Sequence, residues 1–375
     1  MAFQPKLFED PPKPPLEERV KEALLELVPR GEAREWAEEV RRRALERERP
    51  FLQAALPLLK EALASGEEVD PRRVEPVLHP VETEEDKRLF KALVLLWWSM
   101  PYTRAYGRRL AYLVKDRTNG KVMGLLSLMS PVLRMEARDR FLGIAKEDRT
   151  LAANLGLQAH RVGALPPYNL LLGGKLAAMA LASREVREDY KRKYEGRLSL
   201  MEGRKLPADL VYVYTTGAYG KASIYERLRD RSGRPLVFRA GETKGEGVFH
   251  IPKETYDLVI EFLASQGFEA KRGYGGGPSQ KLFHVKKACA LLGLPNVALH
   301  NHRRPIYVFP HAENFREVLK GLEEPRWNDL PFAELASWWL ERWALPRAER
   351  ALRGEAPDWR GFSPRELFLS LGLFG

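Results

Sequence analysis

The order of elements along the chain predicts an α/β protein built on a mixed sheet, with helical segments before and after it. Three observations carry that reading. Leu110-Ala-Tyr-Leu-Val and Val122-Met-Gly-Leu-Leu-Ser-Leu flank Asp116-Arg-Thr-Asn-Gly120, and an Asn-Gly pair between apolar runs is a strong hairpin signal. Arg161-Val-Gly-Ala-Leu-Pro-Pro-Tyr-Asn-Leu-Leu-Leu-Gly-Gly-Lys175 reads as a strand, a glycine turn and the first turn of a buried helix. Leu210-Val-Tyr-Val-Tyr214 then reads as a strand feeding a further helix over Tyr219 to Leu228.

Taken in order, residues 1–15, with Pro11-Pro-Lys-Pro-Pro15, predict an extended arm. Residues 16–80 predict a helical N-terminal module and linker. Apolar residues recur at helical spacing from Leu16 to Leu63, with breaks at Pro29-Arg-Gly31 and Pro50, and Gly66 to Pro80 forms the linker. The α/β core is expected over 81–255. Thr83-Glu-Glu-Asp86 caps a helix through Trp98, and the hairpin follows. Phe141-Leu-Gly-Ile144 is expected as a short strand, Thr150 to His160 as a helix, and Leu176 to Tyr194 as one long helix. Leu236-Val-Phe-Arg239 and Gly247-Val-Phe-His-Ile251 are expected strands. An α/β extension over 256–325 holds helices at Glu254–Gln266 and Gln280–Leu292, the loop Tyr274-Gly-Gly-Gly-Pro278 and the strand Arg304–Pro310. A helical tail over 326–375 carries Trp327, Trp338, Trp339, Trp343 and Trp359, whose spacing reads as packing against the main body.

Composition narrows the function classes. With 44% hydrophobic and 30% charged residues, the chain has the makeup of a globular protein. No apolar run approaches a membrane span, and Met1-Ala-Phe-Gln-Pro-Lys6 lacks the apolar core of a signal peptide, so a cytoplasmic location without membrane contact is expected. The one cysteine, Cys289, excludes an intrachain disulfide framework and reads as a buried thiol. Abundant Arg, Glu and Pro point to a thermophilic source. The net charge is +11, unevenly placed. Residues 101–250 carry 28 Lys and Arg against 15 Asp and Glu, a balance of +13, whereas residues 1–100 carry 17 against 21 and residues 251–375 carry 17 against 15. A basic block of that size points to a polyanion, most simply a nucleic acid, or to a basic surface without a partner.

The candidate site residues follow from chemistry. A helix N-terminus leaves N–H groups free and favours anions. Gly173 and Gly174 would admit a phosphate to the backbone and Lys175 would add charge; the alternative is an ordinary strand-to-helix turn. In Arg138-Asp-Arg140, Asp139 would hold one arginine in a fork while the other meets a phosphate, or the group is a structural ion pair. Arg161 is close enough in sequence to join the same anion. Tyr168 would stack on a base and Asn169 read an amide or base edge, unless both simply end a strand. Thr215, Thr216, Tyr219 and Lys221 would line a substrate beside Gly217 and Gly220. Glu242 in Gly-Glu-Thr-Lys-Gly245 would serve as a general base if burial raised its pKa; the alternative is a turn between strands. His300-Asn-His302 lacks carboxylates to complete a metal site, so no metal is expected.

The hairpin, the strand entering a glycine turn and long helix, and the strand entering a shorter helix together resemble the GNAT acyltransferase-like fold. That resemblance implies that Leu172-Gly-Gly-Lys175 takes the position where the pyrophosphate of acyl-coenzyme A rests. It also implies that adjacent strands diverge there, and that Tyr225 stands where a tyrosine protonates the departing thiolate. The family's Arg/Gln-x-x-Gly-x-Gly/Ala signature is absent, with Val162-Gly-Ala164 and Gly173-Gly-Lys175 in its place. The implied cofactor is therefore acyl-coenzyme-A-like, or there is none.

A second resemblance spans about residues 105–320. Gly124-Leu-Leu-Ser127, Ala137-Arg-Asp-Arg-Phe-Leu-Gly143, the run from Asn154 to Gly163, Ser223-Ile-Tyr-Glu-Arg-Leu228, Ala240-Gly-Glu-Thr-Lys-Gly-Glu-Gly247, Tyr274-Gly-Gly-Gly-Pro278 and Ala312-Glu-Asn-Phe-Arg-Glu-Val-Leu319 carry it. These blocks are similar to the DruA family, a component of Druantia anti-phage systems also found near mobile elements. The resemblance leaves out the first 80 residues and the tryptophan-rich tail. Three expectations follow. One is a nucleic-acid-binding protein, with DNA favoured, on a GNAT-like core. Another is an acyl- or aminoacyl-type transferase acting on DNA or protein, with Tyr225 as acid and Glu242 as base. The third is an adaptor that recruits defence-system subunits through its helical N-terminus and tail.

Overall fold

The computed structural model describes residues 14–28, 33–97, 105–199, 203–248, 250–269 and 278–373. Most of the expected arm, the break at residues 29–31, Trp98 and Tyr274-Gly-Gly-Gly277 lie outside them. The chain forms two compact units, one of residues 32–245 and 302–375 and a smaller one of residues 1–31 and 246–301.

Among the described residues of the larger unit, seven strands form one sheet: β1 (Pro76–Pro80), β2 (Arg109–Asp116), β3 (Val122–Met129), β4 (Gly156–Ala164), β5 (Tyr212–Thr216), β6 (Phe238–Glu242) and β7 (Pro305–Pro310). Their spatial order is β1-β2-β3-β4-β5-β7-β6. The mixed sheet expected from the element order is present. The β2–β3 hairpin turns where Asn119-Gly120 predicts it, with Gly120 at φ 75° and Asp116 Oδ1 accepting from Thr118 Oγ1 at 2.7 Å. β4 runs parallel to β5 from Gly156↔Tyr212 to Ala159↔Thr215. Beyond that point β4 keeps only its pairing with β3, so β4 and β5 part from His160 onward. Gly156 is dictated by this pairing, since a Cβ there would stand 2.2 Å from the Tyr212 ring.

Alternation along the strands loads both faces. On one side Tyr112, Val114, Leu157, Val213 and Phe309 pack with the helices Gly173–Met179, Arg184–Tyr194 and Phe332–Trp339. On the other, Leu113 and Leu125 meet the helix Glu84–Trp97, while Tyr212, Tyr214, Ile306 and Val308 meet Leu142 and Phe315. Thr83 starts the helix Glu84–Trp97 as expected, its Oγ1 accepting from Asp86 N at 3.0 Å while Asp86 Oδ2 accepts from Thr83 N at 3.2 Å. The tryptophans of the tail pack. Trp339 is fully buried and donates to Leu172 O at 3.1 Å, and Trp359 donates to Val69 O at 3.0 Å.

Several expected elements differ. The linker over Gly66–Pro80 contains a 3-10 turn, Gly66–Glu68, and β1, an edge strand whose terminal prolines cost no interior ladder bond. Pro50 lies in the first turn of the helix Arg49–Ala54, where a missing N–H is tolerated, and so does not break it. Phe141 and Leu142 end the helix Glu136–Leu142, closed by Gly143 at φ 72°, and form no strand. The helix expected over Thr150–His160 stops at Asn154, and β4 begins at Gly156. The long helix over Leu176–Tyr194 is two, Gly173–Met179 and Arg184–Tyr194, separated at the buried Ser183. Tyr219–Leu228 holds only the 3-10 turn Ser223–Tyr225.

In the smaller unit the helices Leu16–Leu25, Lys253–Ser265 and Pro278–Leu291 enclose Val20, Leu24, Val259, Leu263, Val285 and Cys289. Burial pushes the Cys289 thiol up, as suits an inert core residue. The strand expected over Gly247–Ile251 is not formed among the described residues; an isolated bridge, Glu246↔Leu299, stands beside it. The segments expected at 16–80 and 256–325 are thus each divided, Leu16–Leu25 joining the smaller unit and β7 the larger. Among the described residues no helix is long and apolar enough to cross a membrane.

Candidate functional site

The glycine turn is built by close packing. After β4 the chain enters the 3-10 turn Tyr168–Leu171 and does not continue as a strand. Leu172, at φ 61°, then precedes the seven-residue helix Gly173–Met179. A Cβ on Gly173 would stand 2.8 Å from Tyr168 O, and one on Gly174 2.8 Å from Ile224 Cγ2. The half-buried Lys175 donates to Ser223 O and Glu226 O, both at 2.9 Å. Burial, with Arg227 nearby, holds its ammonium below the usual range. Lys175, the charge expected to join Gly173 and Gly174 at an anion seat, thus donates to the chain's own carbonyls, and the two glycines are packed as in an ordinary strand-to-helix turn. Tyr168 is fully buried, its hydroxyl donating to Asp116 Oδ2 and accepting from Asn119 Nδ2, both at 2.9 Å. It ties the turn to the β2–β3 hairpin and has no face to stack on a base. Asn169 is exposed on the same turn.

Arg138, 2% exposed, is the structural alternative realised. Its Nε donates to Asp139 Oδ1 at 2.9 Å, its Nη1 to Val132 O at 2.8 Å, and its guanidinium lies 5.0 Å from the Tyr214 ring centre. Burial opposes the charge, and the Asp139 carboxylate beside the guanidinium offsets that cost. Arg140 is exposed and pairs with Glu136 at 3.1 Å. Arg161 is buried against His160. Arg138 and Lys175 lie on opposite faces of the sheet, so these cations do not gather on one anion.

At the end of β5, Thr215 Oγ1 donates to Ala159 O at 2.8 Å. Tyr225 is buried, hydrogen-bonds with Thr215 and lies 4.8 Å from the Tyr307 ring; burial pushes its phenol up to about 12. Thr216 is half-buried, Tyr219 stands 6.0 Å from the His302 ring, and the exposed Lys221 reaches Glu226 at 3.9 Å. Glu242 lacks the burial that a general base requires: it is exposed at the end of β6 and paired with Arg239 at 2.6 Å. Among the described residues no hydrogen bond joins it to Tyr225. Thr215 and Tyr225 are thus brought together where the parallel strands begin to part, and Glu242 is not among them.

One residue there was not foreseen. Ser127 pairs with Arg161 and Leu128 with Ala159, leaving His160 as the extra residue of a bulge. Burial, reinforced by the Arg161 charge, pushes its imidazole down to about 3. Its Nδ1 has no partner among the described residues. Nothing in the local sequence marks a bulge at this position. Among the described residues no cluster of three or more His, Cys, Asp and Glu is placed to hold a metal.

The Druantia protein DruA family matches residues 29–321. A curated relative, the Druantia protein DruA of Escherichia coli (strain UMEA 4076-1), is 34% identical over 310 residues, covering 81% of this chain and 75% of its own length. The match begins at residue 29, ahead of the first block that carried the resemblance in the sequence. No solved structure matches significantly. On the extent of both matches, the chain belongs to the DruA family of Druantia proteins.

Proposed function

We propose that the chain is a nucleic-acid-binding protein of anti-phage defence, acting on DNA together with other Druantia components. The observation that carries this is where the positive charge ends up. Residues 101–250, with their balance of +13, all belong to the larger unit except 246–250. Within them Arg109, Arg134, Lys146, Arg197, Lys205 and Arg227 are exposed and pair with no carboxylate among the described residues. Exposed, uncompensated cations are what phosphate contacts require. Fluorescence anisotropy of the full chain with labelled duplex DNA at stepped salt tests the reading. Affinity that falls log-linearly with salt is expected; no retention, or retention indifferent to salt, overturns it.

A GNAT-like core is the scaffold this reading assumes. Its support is the antiparallel run β1 to β4 followed by a parallel β4–β5 pair whose strands part beyond Ala159. One observation favours a second reading, an acyl- or aminoacyl-type transferase acting on DNA or protein. The buried Tyr225 phenol stays protonated, as a general acid must, and hydrogen-bonds to Thr215 at the last β4–β5 pairing. Label transfer from radiolabelled acetyl-coenzyme A to duplex DNA or to protein, abolished in Tyr225→Phe, is then expected. Absence of transfer by the unaltered chain overturns it.

A further inference from the structure

The helix Arg184–Tyr194 ends in Lys191-Arg-Lys193, and basic residues at a helix C-terminus are favoured by its dipole alone. Lys191 and Arg192 fit that plain account, because each has an acid at hand. Lys191 lies 3.4 Å from Asp209, and Arg192 pairs with Asp189. Lys193 does not. Its Nζ donates to Arg109 O at 2.9 Å, the carbonyl that also accepts from Tyr194 Oη at 2.9 Å. The hydrogen bond from Arg109 N to Tyr194 Oη, at 2.5 Å, fixes the start of β2 against the end of this helix.

Around the single Tyr194 ring stand three cations: Arg108 at 5.6 Å from its centre, Lys193 at 5.8 Å and Arg197 at 5.6 Å. Arg109 is held at the same ring through its backbone. Arg108 is engaged inward, donating to Asn154 O at 3.1 Å and Tyr190 Oη at 2.7 Å. Arg109, Lys193 and Arg197 are exposed and have no ion pair among the described residues. The segment that follows, bridged at Leu198 and Lys205, adds the exposed Arg204 and Lys205. Like charges gathered this closely repel, and the repulsion registers at Lys193. Partial withdrawal of its ammonium from water, against Arg109 O, chiefly lowers its affinity for a proton; Arg109, Arg197 and Lys87 lower it further, and Glu82 acts the other way. Lys87 is itself paired with Glu84 at 2.6 Å.

The geometry points to this surface, Arg109, Lys193 and Arg197 over Tyr194, as the place where the chain grips the phosphodiester backbone of duplex DNA. The inference rests on the nucleic-acid reading above and assigns it an address. Backbone phosphates spaced along a strand suit several cations that share one rigid ring yet point into water. Tyr194 is buried beneath its cations and leaves no ring face for base stacking, so the grip follows phosphates rather than unpaired bases.

The test compares Arg109→Gln/Arg197→Gln with Arg353→Gln/Arg360→Gln in the full chain. The second variant removes the same charge from exposed arginines paired with Glu355 and Asp358. Binding of a fluorescently labelled DNA duplex of mixed sequence is followed against salt, and thermal unfolding shows that each variant is folded. The slope of log K against log salt should shrink by roughly 2 in the first variant, about 0.9 for each lost contact, and stay unchanged in the second. Equal slopes in both variants overturn this assignment while leaving the nucleic-acid reading intact. Absence of salt-dependent binding by the unaltered chain overturns that reading itself. Tighter retention of the single strand than of its duplex also overturns the assignment.

Discussion

Lys175 and Lys193 both donate hydrogen bonds to backbone carbonyls in the larger unit, and the likeness ends there. Lys175 spends two of its three donors on Ser223 O and Glu226 O and lies 5.6 Å from the Trp343 ring centre. Lys193 spends one on Arg109 O and faces solvent among Arg109 and Arg197. The first cation closes a turn; the second joins a group of cations that has no ion pair among the described residues. Conspicuous sequence context, as at Gly173-Gly-Lys175, does not say how many donors the folded chain leaves over: two of the three on Lys175 are spent on the chain itself.

The interior side of this contrast carries the largest expected effect. Asp139 compensates Arg138 from 2.9 Å inside the sheet's covering layer. Asp139→Asn leaves a buried guanidinium without its counter-charge, which costs about 3–5 kcal/mol of unfolding free energy in urea titrations. A loss under about 1 kcal/mol would mean that the carbonyls of Val132 and Leu133 suffice to hold the guanidinium, and the distinction between interior and surface cations would weaken.

Buried histidines test whether the interior refuses new charge. Burial, helped by Arg187, pushes His311 down to about 3 even though its Nε2 lies 2.9 Å from Leu181 O. The ordinary value is 6.5 and the folded value lies below it, so its contribution is complete above pH 6.5. That contribution fades as the pH falls towards about 3, because the unfolded chain takes up a proton that the folded chain refuses. The slope is at most about 1.4 kcal/mol per pH unit for this histidine, or about 2 kcal/mol between pH 6.5 and 5. His160, also held at about 3, adds a slope of the same sign. Thermal unfolding from pH 7 to 5 should show the decline, and His311→Gln should flatten it; an unchanged profile would place the acid sensitivity elsewhere.

Lys175→Met follows in size. It leaves Ser223 O and Glu226 O short of a donor and should cost about 1–3 kcal/mol in the same titrations. The slope of DNA binding against salt should stay where it is. A variant with full stability and a reduced slope would restore the glycine turn as the anion seat and reverse the comparison.

What the sequence could disclose follows the range of the forces. The β2–β3 hairpin and the cap at Thr83 rest on contacts a few residues apart, and both were legible. β1 was hidden because its pairing with β2 is non-local and its prolines mimic a linker. The glycine turn was legible in place, while its role stayed open between an anion seat and an ordinary strand-to-helix turn. A glycine demanded by Tyr168 O or Ile224 has the same letter as one that admits a ligand, and only the fold shows which. Arg138-Asp139 was half legible as an ion pair, but its burial depends on the sheet. The Tyr194 surface could not be read, because Arg109 and Arg197 belong to a strand and to a loop that meet only through Tyr194.

The smallest expected effect concerns that surface in the absence of DNA. Among the described residues Arg109 and Arg197 make no ion pair that their removal would orphan, and both lower the proton affinity of Lys193 beside them. Arg109→Gln/Arg197→Gln should therefore shift stability by no more than about 0.5 kcal/mol. Relief of repulsion favours a gain over a loss, and a gain of that origin must shrink with ionic strength, since charges at the surface are screened within about 8 Å at physiological salt. Unfolding midpoints measured in low and high salt decide it. A small stabilisation that disappears in high salt marks a charge cluster kept at a cost to the free fold, which is what a phosphate-binding surface requires. A clear destabilisation at both salt concentrations would show that the two arginines hold the start of β2 to the helix Arg184–Tyr194. The surface would then resemble the interior cations from which it has been distinguished.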